Sequence, residues 1–111
     1  AVGNAHGPYA TVPNLDFDRI KAIRAKLAIP LVLHGCSDIP EEQMQEAVNL
    51  GMSKFNIATE YFRAMYQGME GLMASGKMKD NAVGVLMGLE EPMVDFVVSK
   101  IRLLNPNHFS L

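Results

Sequence analysis

The sequence has one cysteine and no tryptophan. A single thiol excludes an internal disulfide framework and fits a reducing compartment. No apolar run approaches the length of about 18 residues that a transmembrane helix needs. No basic segment followed by an apolar stretch opens the chain, so no secretory signal is read there. Basic residues are not in excess: 10 face 12 acidic ones, for a net charge of -2. That balance excludes the basic footprint of a nucleic-acid binder. Nor is the chain poor in apolar residues. At 49% hydrophobic and 20% charged it has the composition of a folded domain rather than a disordered segment. Its 111 residues allow one domain or less. The first residue is alanine, not methionine.

The pattern alternates. Residues 1–5 (AVGNA) are small and apolar and are expected to end a strand, and 7–14 (GPYATVPN) read as a loop. Phe17, Ile20, Ile23 and Leu27 recur at helical spacing behind Asp16 as N-cap, over 16–28. Residues 30–34 (PLVLH) form a short apolar run, as in a strand buried on both faces. After the turn 35–38 a helix opens at Pro40 with two glutamates near its positive end. Met44, Ala47 and Val48 line its inner face, and Gly51 is placed to cap it. Residues 53–57 predict a third strand, and Thr59 is placed to cap a longer helix carrying Phe62, Met65, Tyr66, Met69, Leu72 and Met73, which Gly76 ends. The stretch 76–88 reads as a connection, 90–104 as a last amphipathic helix, and the tail NPNHFSL as a fraying end. The order β-α-β-α-β-α-α indicates a parallel α/β fold.

Each expected strand runs into polar or turn-forming residues: His6-Gly7, His34-Gly35-Cys36-Ser37, and Asn56-Ile57-Ala58-Thr59. In a (β/α)8 barrel these ends build the active site. One histidine at a strand end is commonly structural; two in successive βα units are less easily dismissed. Neighbouring parallel strands lie about 4.8 Å apart, so His6 and His34 are placed to meet on one metal ion. A catalytic zinc takes three protein ligands and keeps an open position. Only these two are well placed here: His108 lies in the tail, and Cys36 sits in the turn beyond His34. The two turns put amides and hydroxyls near helix N-termini, where phosphate binds. The plainer alternative is that Ser37 and Thr59 are N-caps. Asp38 counts against phosphate unless its carboxylate points away. The eight methionines fit adaptable core packing, with a subunit interface as the alternative.

AVGNAHG, IPLVLHGCSD and GMSKFNIATE together resemble the C-terminal part of the class II, metal-dependent ketose-bisphosphate aldolases. They are most similar to the tagatose-bisphosphate branch, with its patterns IGTAHG, PLVLHGASG and KVNVAT. His6 and His34 stand 28 residues apart, and Asn56 follows 22 later, in the family's order. The likeness covers roughly 1–104. It implies a TIM (β/α)8 barrel, of which residues 1–111 are a C-terminal fragment of about three strands and their helices. It implies that His6 and His34 are two of three zinc ligands, with a monovalent cation near the phosphate. Gly7, Gly35, Cys36, Ser37, Asn56, Ile57, Ala58 and Thr59 would hold dihydroxyacetone phosphate. The proton-transferring aspartate and the third histidine belong to earlier strands, so no catalytic residue is assigned in this chain, and the chain alone is expected to be inactive. Lys54 has no required covalent role, because such chemistry needs no Schiff base. The implied protein is cytoplasmic, a dimer or tetramer, with a small phosphorylated sugar as substrate and neither nucleic acid nor membrane as partner. Two departures stand out: Asp38 replaces the usual glycine after the serine, and Cys36 replaces alanine or glycine. The alternatives are another phosphosugar barrel enzyme (an isomerase or metal-dependent hydrolase) or a non-catalytic structural fragment.

Overall fold

A computed structural model describes residues 1–77 and 81–110. Its elements run α1 (Phe17–Lys26), β1 (Leu31–Leu33), α2 (Glu41–Asn49), β2 (Met52–Phe55), α3 (Thr59–Ala74), α4 (Ala82–Gly88) and α5 (Glu90–Leu103). Local sequence explains most of these boundaries. The Asp16 carboxylate accepts from Arg19 N at 2.9 Å and caps α1, a contact worth about 1 kcal/mol. Asp18 sits in the first turn of α1, and Arg24 and Lys26 in its last, each at the end of the helix dipole that favours its charge. Pro40 stands just before α2 as its N-cap. Gly51, with φ +92°, follows the helix and donates its N–H to Val48 O at 2.9 Å. This is the left-handed cap that glycine adopts without strain.

β1 and β2 pair in parallel, with α2 as the crossover between them. The register runs Leu31 to Met52, Val32 to Lys54 and Leu33 to Phe55, with an irregularity between Leu31 and Val32. One extra residue, Ser53, is absorbed there. Because strand side chains alternate, this slip decides which face Lys54 takes. Leu31, Leu33 and Met52 face the core with Ile20, Met44, Ala47, Ile39, Leu15 and Leu103. α3, α4 and α5 form a second cluster: Tyr61 meets the Phe96 ring edge-on at 6.0 Å, and Lys100 pairs with Glu60 at 2.8 Å.

Several expectations change. Residues 1–5 are not a strand; among the described residues only β1 and β2 pair. The segment is tied to its surroundings by single contacts instead: Asp16 N donates to Val2 O at 2.9 Å, and Asn4 Nδ2 donates to His34 O. β1 is covered on one face only. Val32, between two buried leucines, is 44% exposed, because no described element packs on that side. The connection 76–88 contains α4, capped by Asn81, whose side chain accepts from Gly84 N at 2.8 Å; positions 78–80 within it lie outside the described residues. Thr59 is the first residue of α3, and the cap position is Ala58. The tail is held rather than frayed over its described part: the Asn105 side chain donates to Phe109 O and accepts from Phe109 N.

The chain is drawn out. Its radius of gyration is 17.2 Å, against about 13 Å for a compact domain of this length. No helix among the described residues is long and apolar enough to cross a membrane.

Leu33 is 2% exposed at the centre of the strand pair. Leu33→Ala in the complete protein is expected to cost about 2–5 kcal/mol, read as a lower urea midpoint with unchanged slope.

Candidate functional site

The polar residues gather where β1 and β2 end. The pairing continues past the strands: Asn56 N donates to Leu33 O at 3.0 Å, and Cys36 N donates to Asn56 O at 3.1 Å. His34 and Asn56 are thereby fixed side by side, and the Asn56 amide nitrogen lies 2.9 Å from His34 Nδ1. Lys54 Nζ donates to Asn56 Oδ1 at 2.8 Å.

His6 arrives from the irregular segment. Its ring centroid lies 5.6 Å from that of His34, with the planes inclined at 58°. Both histidines are exposed. Tyr9 sets the path of the segment that carries His6. Its hydroxyl accepts from Ala5 N at 2.9 Å, and it lies 2.7 Å from Ala5 O and 2.9 Å from Gly35 O, either of which can take its proton. Gly35 must be glycine for this approach. Its φ is +65°, and a Cβ there would stand 2.2 Å from Ala5 O. Sequence reading missed both Tyr9 and Asn4; a tyrosine between two prolines carries no pattern that announces a partner 26 residues away.

Beside the histidines lies a small cleft lined by Ala5, His6, Gly7, Gly35, Ser37, Asn56, Ala58 and Thr59. Six of these, Gly7, Gly35, Ser37, Asn56, Ala58 and Thr59, were expected from the sequence to bind substrate. Cys36 and Ile57 are not among them. The Cys36 amide is spent on Asn56 O, and its thiol is buried and donates to Leu33 O at 3.0 Å. Burial pushes that thiol up to about 11. Ile57 packs against the core. Ser37 caps a different helix from the one the sequence suggested. The turn 35–38 stands away from the start of α2 at Glu41, and the Ser37 hydroxyl accepts from Glu60 N at 3.3 Å, in the first turn of α3.

Asp38 has a left-handed backbone, φ 61°, where glycine is the easier residue. Its carboxylate turns outward and takes a two-pronged contact from Arg63, Nη1 and Nη2 each at 2.8 Å. The Arg63 hydrogen bond holds the Asp38 carboxyl below its usual range. The negative charge that argued against an anion in this turn is therefore paired with a cation, and Asp38 is not among the residues that line the cleft.

The donor chemistry suits a divalent transition metal: two exposed imidazoles converge, and neither is consumed in a salt bridge. They are not a complete set. Among the described residues no group of three His, Cys, Asp or Glu side chains is placed to hold one ion.

Comparison with known proteins follows the same residues. The family described as Fructose-bisphosphate aldolase class-II matches residues 1–108. The chain is 38% identical over 103 residues to a sulfofructosephosphate aldolase of Alkalicoccus urumqiensis, covering 93% of this chain and 36% of that protein. It also superposes on the crystal structure of the YdjI aldolase from Escherichia coli K12 with a TM-score of 0.82 and 29% identity, covering 97% of this chain and 39% of that one. The chain thus spans less than half the length of the relatives it matches.

Two outcomes follow for the complete protein. A carboxyl whose folded pKa is depressed contributes stability above its unfolded pKa and loses it as pH falls through the folded value. Asp38→Asn is therefore expected to lower the melting temperature near neutral pH and to flatten its decline below about pH 4, as followed by thermal scans across pH. Cys36 is expected to resist iodoacetamide at pH 7 while folded and to react on unfolding, read as a mass increase by mass spectrometry.

Proposed function

The chain belongs to the class II fructose-bisphosphate aldolase family, and from that premise we propose that residues 1–111 are the C-terminal fragment of a TIM-barrel aldolase. The complete enzyme cleaves and forms a carbon–carbon bond of a phosphorylated ketose, with dihydroxyacetone phosphate and an aldehyde as the other side of the reaction. The observation that carries this is the convergence of His6 and His34 at 5.6 Å beside a cleft of glycines, amides and hydroxyls. The parallel strand pair with one bare face, and a radius of gyration of 17.2 Å, support a fold that further elements complete. A barrel takes about 250 residues.

His6 and His34 would hold zinc, with a third donor from outside the described residues. When bound, zinc supplies Lewis-acid polarisation of the ketose oxygens. The chain's own residues do the positioning. Gly7 and Ala58 leave room for the phosphate to approach backbone, Gly35 lets the Ala5 segment close on the cleft, and Ser37 and Thr59 bring hydroxyls to the phosphate. Asn56 offers its amide to a substrate oxygen next to His34. Cys36 and Ile57 contribute through the backbone: the Cys36 amide joins the turn to Asn56 O, and Ile57 packs against the core between Asn56 and Ala58. Binding energy from the phosphate holds the reacting carbons in place. The proton moves through an aspartate outside this chain, and a monovalent cation beside the phosphate belongs to the same reading. The complete protein is a cytoplasmic dimer or tetramer. Without the missing donor and aspartate, the 111-residue chain is inactive.

In the complete protein, His34→Ala is expected to abolish zinc retention and to lower kcat/KM by about three orders of magnitude or more, since metal polarisation contributes several kcal/mol. Assays with a ketose bisphosphate and with sulfofructose phosphate, beside zinc analysis, make the check. Cleavage that persists in chelator, or a lysine adduct trapped by borohydride, would overturn the reading.

A further inference from the structure

Lys54 lies outside the cleft, yet it makes one specific contact into the site. It is exposed, and among the described residues no carboxylate pairs with it. Its ammonium, 2.8 Å from Asn56 Oδ1, is a pure donor. The amide oxygen of Asn56 must therefore face Lys54, which turns the NH2 group toward His34. That NH2 group is in turn a donor only. At 2.9 Å from His34 Nδ1 it requires an acceptor there. A neutral imidazole that accepts at Nδ1 carries its proton on Nε2. Reversing the Asn56 amide, which the other tautomer needs, would set an NH2 group against the ammonium.

We propose that Lys54 is a positioning residue that fixes the Asn56 amide and through it holds His34 as the Nε2–H tautomer in the metal-free protein, with Nδ1 unprotonated and covered by the Asn56 NH2 group. The strand-pair irregularity that puts Lys54 opposite Val32 is what lets the contact form, because it places Lys54 and Asn56 on the same face as His34. A metal that used Nδ1 would have to displace the Asn56 NH2 group, so Lys54 and Asn56 together guard that nitrogen.

The proposal's bearing on function rests on His34 as a metal ligand, and its test is chosen to be independent of aldolase activity. Nitrogen-15 NMR of the complete, metal-free protein, assigned with His34→Gln, is expected to show His34 protonated at Nε2. Lys54→Met should convert it to a mixture of tautomers, and Lys54→Arg should restore the single form. In an Asn56→Ala background, Lys54→Met should have no further effect on this readout. An unchanged tautomer in Lys54→Met, or an equal effect with and without Asn56, would overturn the proposal. Failure of the unaltered protein to bind zinc would overturn the metal-ligand reading of His34 and leave the tautomer control standing, so the two failures are distinguishable.

Discussion

The Asn56 N–H donates to Leu33 O, and the Asn56 carbonyl accepts from Cys36 N, at 3.0 and 3.1 Å. These two backbone bonds extend the parallel pairing beyond the last residues of β1 and β2 and join the turns that follow them. His34 lies between Leu33 and the Gly35 turn, so its ring direction is set by the same bonds that fix Asn56. Parallel pairing needs a crossover, and α2 supplies it by burying Met44 and Ala47 against the strands. The site's geometry thus rests on core packing a few residues away: the apolar faces of Leu31, Leu33 and Met52 set the register, and the register sets which polar groups meet.

The turn after His34 carries a conflict that the structure resolves locally. Asp38 occupies a left-handed backbone position and carries a charge beside the cleft proposed to take a phosphate. Both features are unfavourable taken alone. Arg63, on the first turns of α3, takes the carboxylate with two nearly equal contacts and turns it away from Ser37. Ser37 itself holds the start of α3 through Glu60 N. The β1 turn and α3 are therefore fastened twice, once by a neutral cap and once by an ion pair. The ion pair is partly exposed, with Asp38 at 30% and Arg63 at 45%, so its contribution is more to orientation than to stability.

Much of this was readable from sequence because local physics decides it. The Asp16 cap, the Gly51 stop and the stripe of α2 follow from spacing and residue type alone, whereas the apolar stripe read for α5 leaves Val94, Val97 and Ile101 exposed. The gathering of His34, Asn56 and the turn residues after them followed from their positions at the ends of β1 and β2, whereas His6 reaches the site from a segment that is not a strand. The misses share a cause. Residues 1–5 have strand composition, but a strand exists only with a hydrogen-bonded neighbour, and here single contacts through Val2 and Asn4 stand in for a ladder. α4 has seven residues and two glycines, too short and too poor in helix formers to show a period. Val32 looked buried because its neighbours are apolar, while burial depends on what packs against the other face. The contact of Lys54 with Asn56 depends on a one-residue slip between strands, which no spacing rule within either strand encodes.

The bare face and the incomplete donor set are two aspects of one arrangement. Val32, His34, Lys54 and Asn56 share the side of the strand pair on which no described element packs. A parallel sheet is stable when both its faces are covered, so the elements that would cover Val32 must pass close to His34. On the proposed reading, a residue they bring near that imidazole would stand where a third donor is needed. An ion held by His6 and His34 would also tie the irregular segment 1–7 to β1, where Tyr9 and Asn4 now provide most of the tether. On the proposed reading, metal binding and completion of the fold would be coupled through the same few residues: covering the apolar face would position the third donor, and the filled site would fix the segment that no ladder holds.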